Sequence, residues 1–330
     1  MNLFTNRAED SPACDGASRT RARSPRTRYS AVISSVSGRS TRILRGRVTQ
    51  ESMVGVPGQE VVRIDTPDGR IAAEFRGPDT AQPVVVCLHG LSANRATWLP
   101  LAERLAHRRR FLLIDLLGRG DSDAAPDARY DLASEVRRLR MVLSSTGVSH
   151  PLLAGHSNGA AIAVAAAAEV GARALLLVNP VTPDLPRPPA LAALRSPIVR
   201  SLVSPAVRLF RRPLTRYMLV RRVLADRSRV SADLIASYAD PWGSRGRAAG
   251  LPRILSDWDP AELVPWGRPA GIPVRVVAGG EDRRVRPESA REWADRLGGT
   301  FELVAGCGHS VPEERASAIA ATVEDLLTGN

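Results

Sequence analysis

From about residue 60 onward the chain alternates short apolar runs with amphipathic stretches. Glu60–Asp65 (EVVRID) and Arg70–Arg76 (RIAAEFR) read as strands, and Pro67-Asp68-Gly69 between them is turn chemistry, so the pair predicts a hairpin. Val84–Leu88 (VVVCL) and Phe111–Asp115 (FLLID) are continuous apolar runs, as expected of strands buried on both faces. Leu152–Gly155, Ala174–Asn179 (ALLLVN), Val274–Ala278 (VRVVA) and Phe301–Val304 read as further strands. Helical spacing falls between them. It covers Thr97–His107, Asp131–Thr146 with Leu132, Val136, Leu139 and Leu143 on one face, and the Ala-rich Asn158–Val170. Two more helices are predicted at Pro287–Leu297 and Pro312–Leu327. Strands alternating with helices predict an α/β fold, a parallel sheet with helices on both faces.

The alternation breaks over residues 181–255. Pro183, Pro186, Pro188 and Pro189 make joints there, and the rest predicts several short Arg-rich helices, an insertion of roughly seventy residues. Residues 1–52 are rich in Arg, Ser and Thr without apolar periodicity and read as a disordered arm. Met53, just before the first convincing strand, reads as an alternative translation start. The expected organisation is an arm (1–52), a first part of the core (53–180), a helical cap (181–255) and a second part of the core (256–330).

Composition narrows the function classes. No run approaches ~20 consecutive apolar residues, so no transmembrane helix is expected, and no apolar segment follows the N-terminal basic residues as a secretory signal requires. Cys14, Cys87 and Cys307 lack a Cys-x-x-Cys spacing, which argues against a zinc site or a disulfide framework. Cys87 reads as a small buried hydrophobe, and a cytoplasmic location is the simplest expectation. All 46 basic residues are Arg, which excludes Schiff-base chemistry and a lysine general base. The net charge of +12 is uneven: residues 1–50 carry +7, residues 181–250 carry +9, and the remainder is −4. No helix-turn-helix, RNP-like or zinc-finger pattern accompanies this charge, so no nucleic-acid partner is expected.

The candidate chemistry centres on Gly155-His156-Ser157-Asn158-Gly159. An apolar strand ends directly before it and an Ala-rich helix starts directly after it. That context predicts a nucleophile elbow, with Ser157 lifted above the sheet and Gly155 and Gly159 relieving the crowding of strand and helix. A serine hydroxyl needs a base. Among the five histidines, His309 in Gly306-Cys307-Gly308-His309-Ser310 is the best placed, in a loop after the last strand. His107 reads as surface, His150 as loop, and His156 as turned away by the elbow. The imidazole needs a buried acid. Asp282 follows the strand Val274–Ala278, with Glu281 as the competing acid. The backbone N–H groups of Leu91 and Asn158 are the candidate oxyanion donors, with His89 and Gly90 supporting that loop.

LHGLS (88–92), DLLGRGDSD (115–123), GHSNG (155–159), GGEDRRV (279–285) and GCGHSVPEE (306–314), in this order on alternating strands, resemble the α/β-hydrolase superfamily from about residue 60 to 328. The resemblance implies a mostly parallel eight-stranded sheet with an inserted helical cap, and acyl-enzyme chemistry through Ser157, Asp282 and His309 with no cofactor and no metal. Serine at 157 argues against the aspartate-nucleophile branches, the haloalkane dehalogenases and epoxide hydrolases. Asn158 departs from the methionine of many relatives and places a polar group either near the acyl site or facing away from it. Asp115 and Gly118–Ser122 match a loop that is structural in the family.

The expected activity is hydrolysis of a carboxylic ester or thioester. The same triad also supports carbon–carbon bond cleavage of β-diketones, lactone opening, acyl transfer or perhydrolysis, and the non-enzyme alternative is a binding protein on this scaffold. The expected partner is a small acyl substrate. The cap arginines fit an anionic one, but the preferred reading is the solvated outer face of amphipathic helices. Trp242, Trp258 and Trp266 either line an apolar pocket or pack. An Arg-rich arm could also meet nucleic acid or membrane. Oligomeric state is not legible.

Overall fold

The computed structural model describes residues 48–51, 59–265 and 271–329. Cys14, Met53, Trp266 and the predicted arm lie outside the described residues, except for Val48–Glu51.

The strands are β1 (Val48–Glu51), β2 (Gln59–Thr66), β3 (Gly69–Arg76), β4 (Val85–Leu88), β5 (Phe111–Ile114), β6 (Leu152–His156), β7 (Ala174–Val178), β8 (Val274–Gly279) and β9 (Thr300–Val304). They form one sheet in the order β1-β2-β3-β5-β4-β6-β7-β8-β9. Strands β5 to β9 run parallel, while β1, β2 and β3 join antiparallel at one edge. Eight of these strands are those the sequence pattern predicts; β1 is an added edge strand inside the segment read as an arm.

The helices are α1 (Leu99–Leu105), α2 (Leu132–Thr146), α3 (Asn158–Ala166), α4 (Ala190–Ala193), α5 (Pro197–Met218), α6 (Ala232–Ala239), α7 (Arg245–Asp257), α8 (Pro287–Leu297), α9 (Val311–Glu314) and α10 (Ala316–Thr328). Side-chain alternation along the buried strands feeds two cores. Val86 and Leu88 of β4 face the core completed by α2, α3 and α8, whereas Val85 and Cys87 face the one completed by α1 and α10. The continuous apolar runs follow from this, because both faces of each central strand are covered. Trp242 and Trp258 belong to the first core, so they pack.

Two helical readings need correction. The cap is not only short helices: α5 runs for 22 residues through Pro205 and Pro213. The last predicted helix is two, because Arg315 leaves helical geometry with φ −144 and ψ 49 between α9 and α10. Among the described residues no helix is long and apolar enough to cross a membrane.

The order β5-β4-β6 matters for function. The chain steps from β4 out to β5 on one side and then back across β4 to β6 on the other, all three strands parallel, and the crevice outside the strands' carboxyl ends at such a switch point is where α/β sheets place ligands. Leu88 at the end of β4 pairs with Gly155 of β6, so the loops that follow both strands meet there.

Candidate active site

Ser157 stands between β6 and α3 with φ 53 and ψ −116, a left-handed region that costs a non-glycine residue energy. The turn holds because a side chain at Gly159 would strike the Leu88 carbonyl, and one at Gly155 would strike the Ala160 backbone. Both predicted elbow glycines are therefore sterically required. The Ser157 N–H donates to Val178 O at 2.9 Å, which ties the elbow to β7.

The loops bring the three predicted triad residues together. The Ser157 hydroxyl donates to His309 Nε2 at 3.0 Å, and His309 Nδ1 donates to Asp282 Oδ2 at 2.7 Å. Glu281 is exposed and takes no part. Asp282 Oδ1 accepts the N–H groups of Arg284 at 2.7 Å and Val285 at 3.1 Å, and Oδ2 also accepts Asn179 Nδ2–H at 2.9 Å. Burial works to raise the Asp282 carboxyl. The neighbouring His309, its hydrogen bond and the two backbone N–H groups outweigh burial and hold it below the usual carboxylate range. An ionised Asp282 keeps the proton on Nδ1 and leaves Nε2 as the acceptor.

His89 is fully buried, and its pKa is lowered to about 3, chiefly by burial and then by the charge of Arg119. Neutral, it donates from Nδ1 to Gly90 O at 2.7 Å and accepts the Leu116 N–H on Nε2 at 3.0 Å. Fixing the Gly90 carbonyl orients the trans peptide that follows, so the Leu91 N–H must point the opposite way. Arg119 Nε grips the next carbonyl, Leu91 O, at 3.1 Å. Asn158 opens α3, and as its first residue it has no helical carbonyl one turn back to accept its N–H. Its side chain is buried, and neither amide atom has a hydrogen-bond partner in the protein.

His156 makes no hydrogen bond to the Ser157 hydroxyl but contacts the histidine loop, its ring centroid 5.1 Å from that of His309. Its Nε2–H donates to the His309 carbonyl at 2.8 Å, and burial followed by the charge of His309 lowers its pKa to about 3. His107 is exposed, and His150 bonds Gly171 O in a surface loop.

Three contributions escaped the sequence reading. Asn179, at the end of β7 with φ 43, braces Asp282. Glu314 is buried, accepting Gly308 N–H at 2.8 Å on Oε1, and Ala225 N–H at 2.8 Å and Asp226 N–H at 3.1 Å on Oε2. Val223 O accepts the His309 N–H at 2.6 Å. The histidine loop is thus bolted to cap residues 223–226. Only the Gly-His-Ser…Glu spacing hinted at Glu314; nothing marked Val223. A cleft of about 400 Å3 lined by Arg129, Asp131, Arg137 and Glu262 shares no residue with this assembly. Among the described residues no cluster of His, Cys, Asp or Glu is suited to hold a metal ion.

A strand–elbow–helix on a mostly parallel sheet, interrupted by a helical cap, defines a class of α/β proteins with a serine at the elbow. The profile of the alpha/beta hydrolase family matches residues 85–322, and the chain belongs to that family. An uncharacterized protein of Mycobacterium tuberculosis is 28% identical over 245 residues, 69% of this chain and 70% of the relative. The magnesium-chelatase 30 kDa subunit of Rhodobacter capsulatus is 26% identical over 260 residues, 75% of this chain and 87% of that one. An alpha/beta hydrolase fold protein from Burkholderia ambifaria superposes with a TM-score of 0.70 and 27% identity, covering 80% of this chain and 96% of that structure.

Proposed function

We propose that the protein is a serine hydrolase that cleaves a carboxylic ester or thioester through an acyl-enzyme. The observation that carries the reading is the continuous relay from Ser157 Oγ to His309 Nε2 at 3.0 Å and from His309 Nδ1 to Asp282 Oδ2 at 2.7 Å. Ser157 Oγ attacks the acyl carbon as its proton passes to His309 Nε2. The Leu91 and Asn158 N–H groups receive the developing oxyanion, each such donor being worth ~3 kcal/mol in the transition state. His309 then protonates the leaving alkoxide or thiolate, and the acyl group stays on Ser157. Water attacks next, delivering its proton to His309, and Ser157 is restored as the acid departs. Asp282 remains ionised throughout and stabilises the imidazolium.

The test is a Ser157→Ala variant assayed with a short p-nitrophenyl ester and with a fluorophosphonate probe. Turnover and labelling are both expected to vanish while the melting temperature stays within ~2 °C. Wild-type turnover in the variant refutes the assignment, and a wild type that never labels points to a binding protein. A panel of esters, thioesters, lactones and β-diketones then assigns the acyl group.

A further inference from the structure

The cap carries an unusual surface. None of the 22 residues of α5 is buried. Ile198, Leu202, Leu209, Phe210, Leu214 and Tyr217 all stand out of it, between 47% and 73% exposed. At about 100° per residue, Ile198, Leu202 and Leu209 fall on one line along the helix, and Phe210, Leu214 and Tyr217 form its adjoining flank. Single exposed apolar residues are ordinary, but six contiguous ones along ~33 Å of helix mark an interaction site.

The charge around the face selects the occupant. Helix α5 has five arginines and no acidic residue, and the cap as a whole, residues 181–255, carries +10. Arg212 pairs with Asp240, but Arg195, Arg216, Arg221 and Arg222 are exposed and have no carboxylate partner among the described residues. A second copy of the chain would bring another +10 cap against this one. The N-terminal segment, at +7 over residues 1–50, is repelled for the same reason. An anionic lipid surface satisfies both features, since it takes the apolar side chains below its headgroups and pairs the arginines with phosphates. The depth also fits. Pro205 and Pro213 withhold N–H groups from the carbonyls of Ser201 and Leu209 on exposed turns of α5, so the helix must lie where water still reaches them.

We propose that the exposed face of α5 docks the protein on an anionic lipid surface, with α5 lying in the headgroup plane. The proposal is independent of the hydrolysis reading, because vesicle binding requires no turnover.

The experiment is flotation of the full chain with vesicles of equimolar phosphatidylglycerol and phosphatidylcholine, and with vesicles of phosphatidylcholine alone. Binding is expected to the anionic vesicles, weakening about tenfold between 0.05 and 0.5 M salt. A Leu209→Asp/Phe210→Asp variant is expected to bind at least about tenfold more weakly, because two apolar anchors are lost. Its melting temperature should match the wild type, since both residues are exposed. Failure of the wild type to float overturns the proposal. So does equal flotation of wild type and variant, which would assign binding to the N-terminal arginines. A wild-type dimer in solution that the variant abolishes overturns it as well, in favour of a second copy on this face.

Discussion

Glu314→Gln tests whether the cap helps to hold the histidine loop. The carboxylate accepts three backbone N–H groups, a buried one on Oε1 from Gly308 and two half-buried ones on Oε2 from Ala225 and Asp226. A glutamine side chain has one acceptor oxygen. Its best compromise keeps the oxygen on the two cap N–H groups and turns its NH2 toward the Gly308 N–H, donor against donor. Losing one charge-assisted bond and leaving that N–H unpaired costs about 2–4 kcal/mol. For a folded part of this size that is a fall of roughly 5–10 °C in melting temperature. Gly308 directly precedes His309, so its release moves the imidazole relative to Ser157. A displacement near 1 Å is worth on the order of 100-fold in rate. The assay is p-nitrophenyl ester hydrolysis alongside thermal unfolding. The expected signature is a lower kcat with KM little changed, because Glu314 lies behind the loop and not against substrate. A variant with wild-type kcat and a melting temperature within ~1 °C refutes the argument.

Three more substitutions probe the remaining contacts. Asp282→Asn replaces the acceptor of the His309 Nδ1 proton by an amide and should lower kcat by roughly 10⁴-fold at neutral pH with the fold retained. Asn179→Ala removes one hydrogen bond to Asp282 and should destabilise by about 1–2 kcal/mol in urea unfolding, with kcat reduced about tenfold. Glu313, which accepts from Ser310 and from Tyr238 of the cap, has a pKa raised to about 7, chiefly by burial. Its neutral form is favoured in the fold, so the stability it contributes is full below the unfolded value near 4.5 and is lost as pH rises toward 7. Glu313→Gln should therefore gain on the wild type between pH 5 and pH 8 in melting experiments; a constant gap across that range would contradict the burial argument.

The parts legible in the sequence are those whose cause is local. A strand covered on both faces must be apolar throughout, so β4, β5, β6 and β7 announce themselves. The elbow needs small residues at fixed offsets around Ser157, and Asp282 and His309 each follow a strand within a few residues. What escaped the reading depends on partners far along the chain. Asn179 meets Asp282 across 103 residues, and Glu314 meets Ala225 across 89, so neither spacing carries a periodic signal. Helix α5 was obscured by a different cause. Pro205 and Pro213 signal breaks, yet both sit on its exposed side, where a missing N–H leaves a carbonyl facing water and not a buried orphan.

These long-range contacts change what the cap is. A lid that merely covers a site can be moved without disturbing the catalytic side chains. Here the cap supplies an acceptor to the His309 backbone from Val223, two N–H groups to Glu314, and the Tyr238 hydroxyl to Glu313. The segment that makes the first of these contacts is a π-helical turn, Leu219–Val223, that continues directly from the end of α5. Such turns are rare and occur frequently at functional sites. The exposed apolar face of α5 and the position of the His309 imidazole are therefore joined through five residues of one backbone. The last residue of that turn, Val223, is the one whose carbonyl accepts the His309 N–H at 2.6 Å.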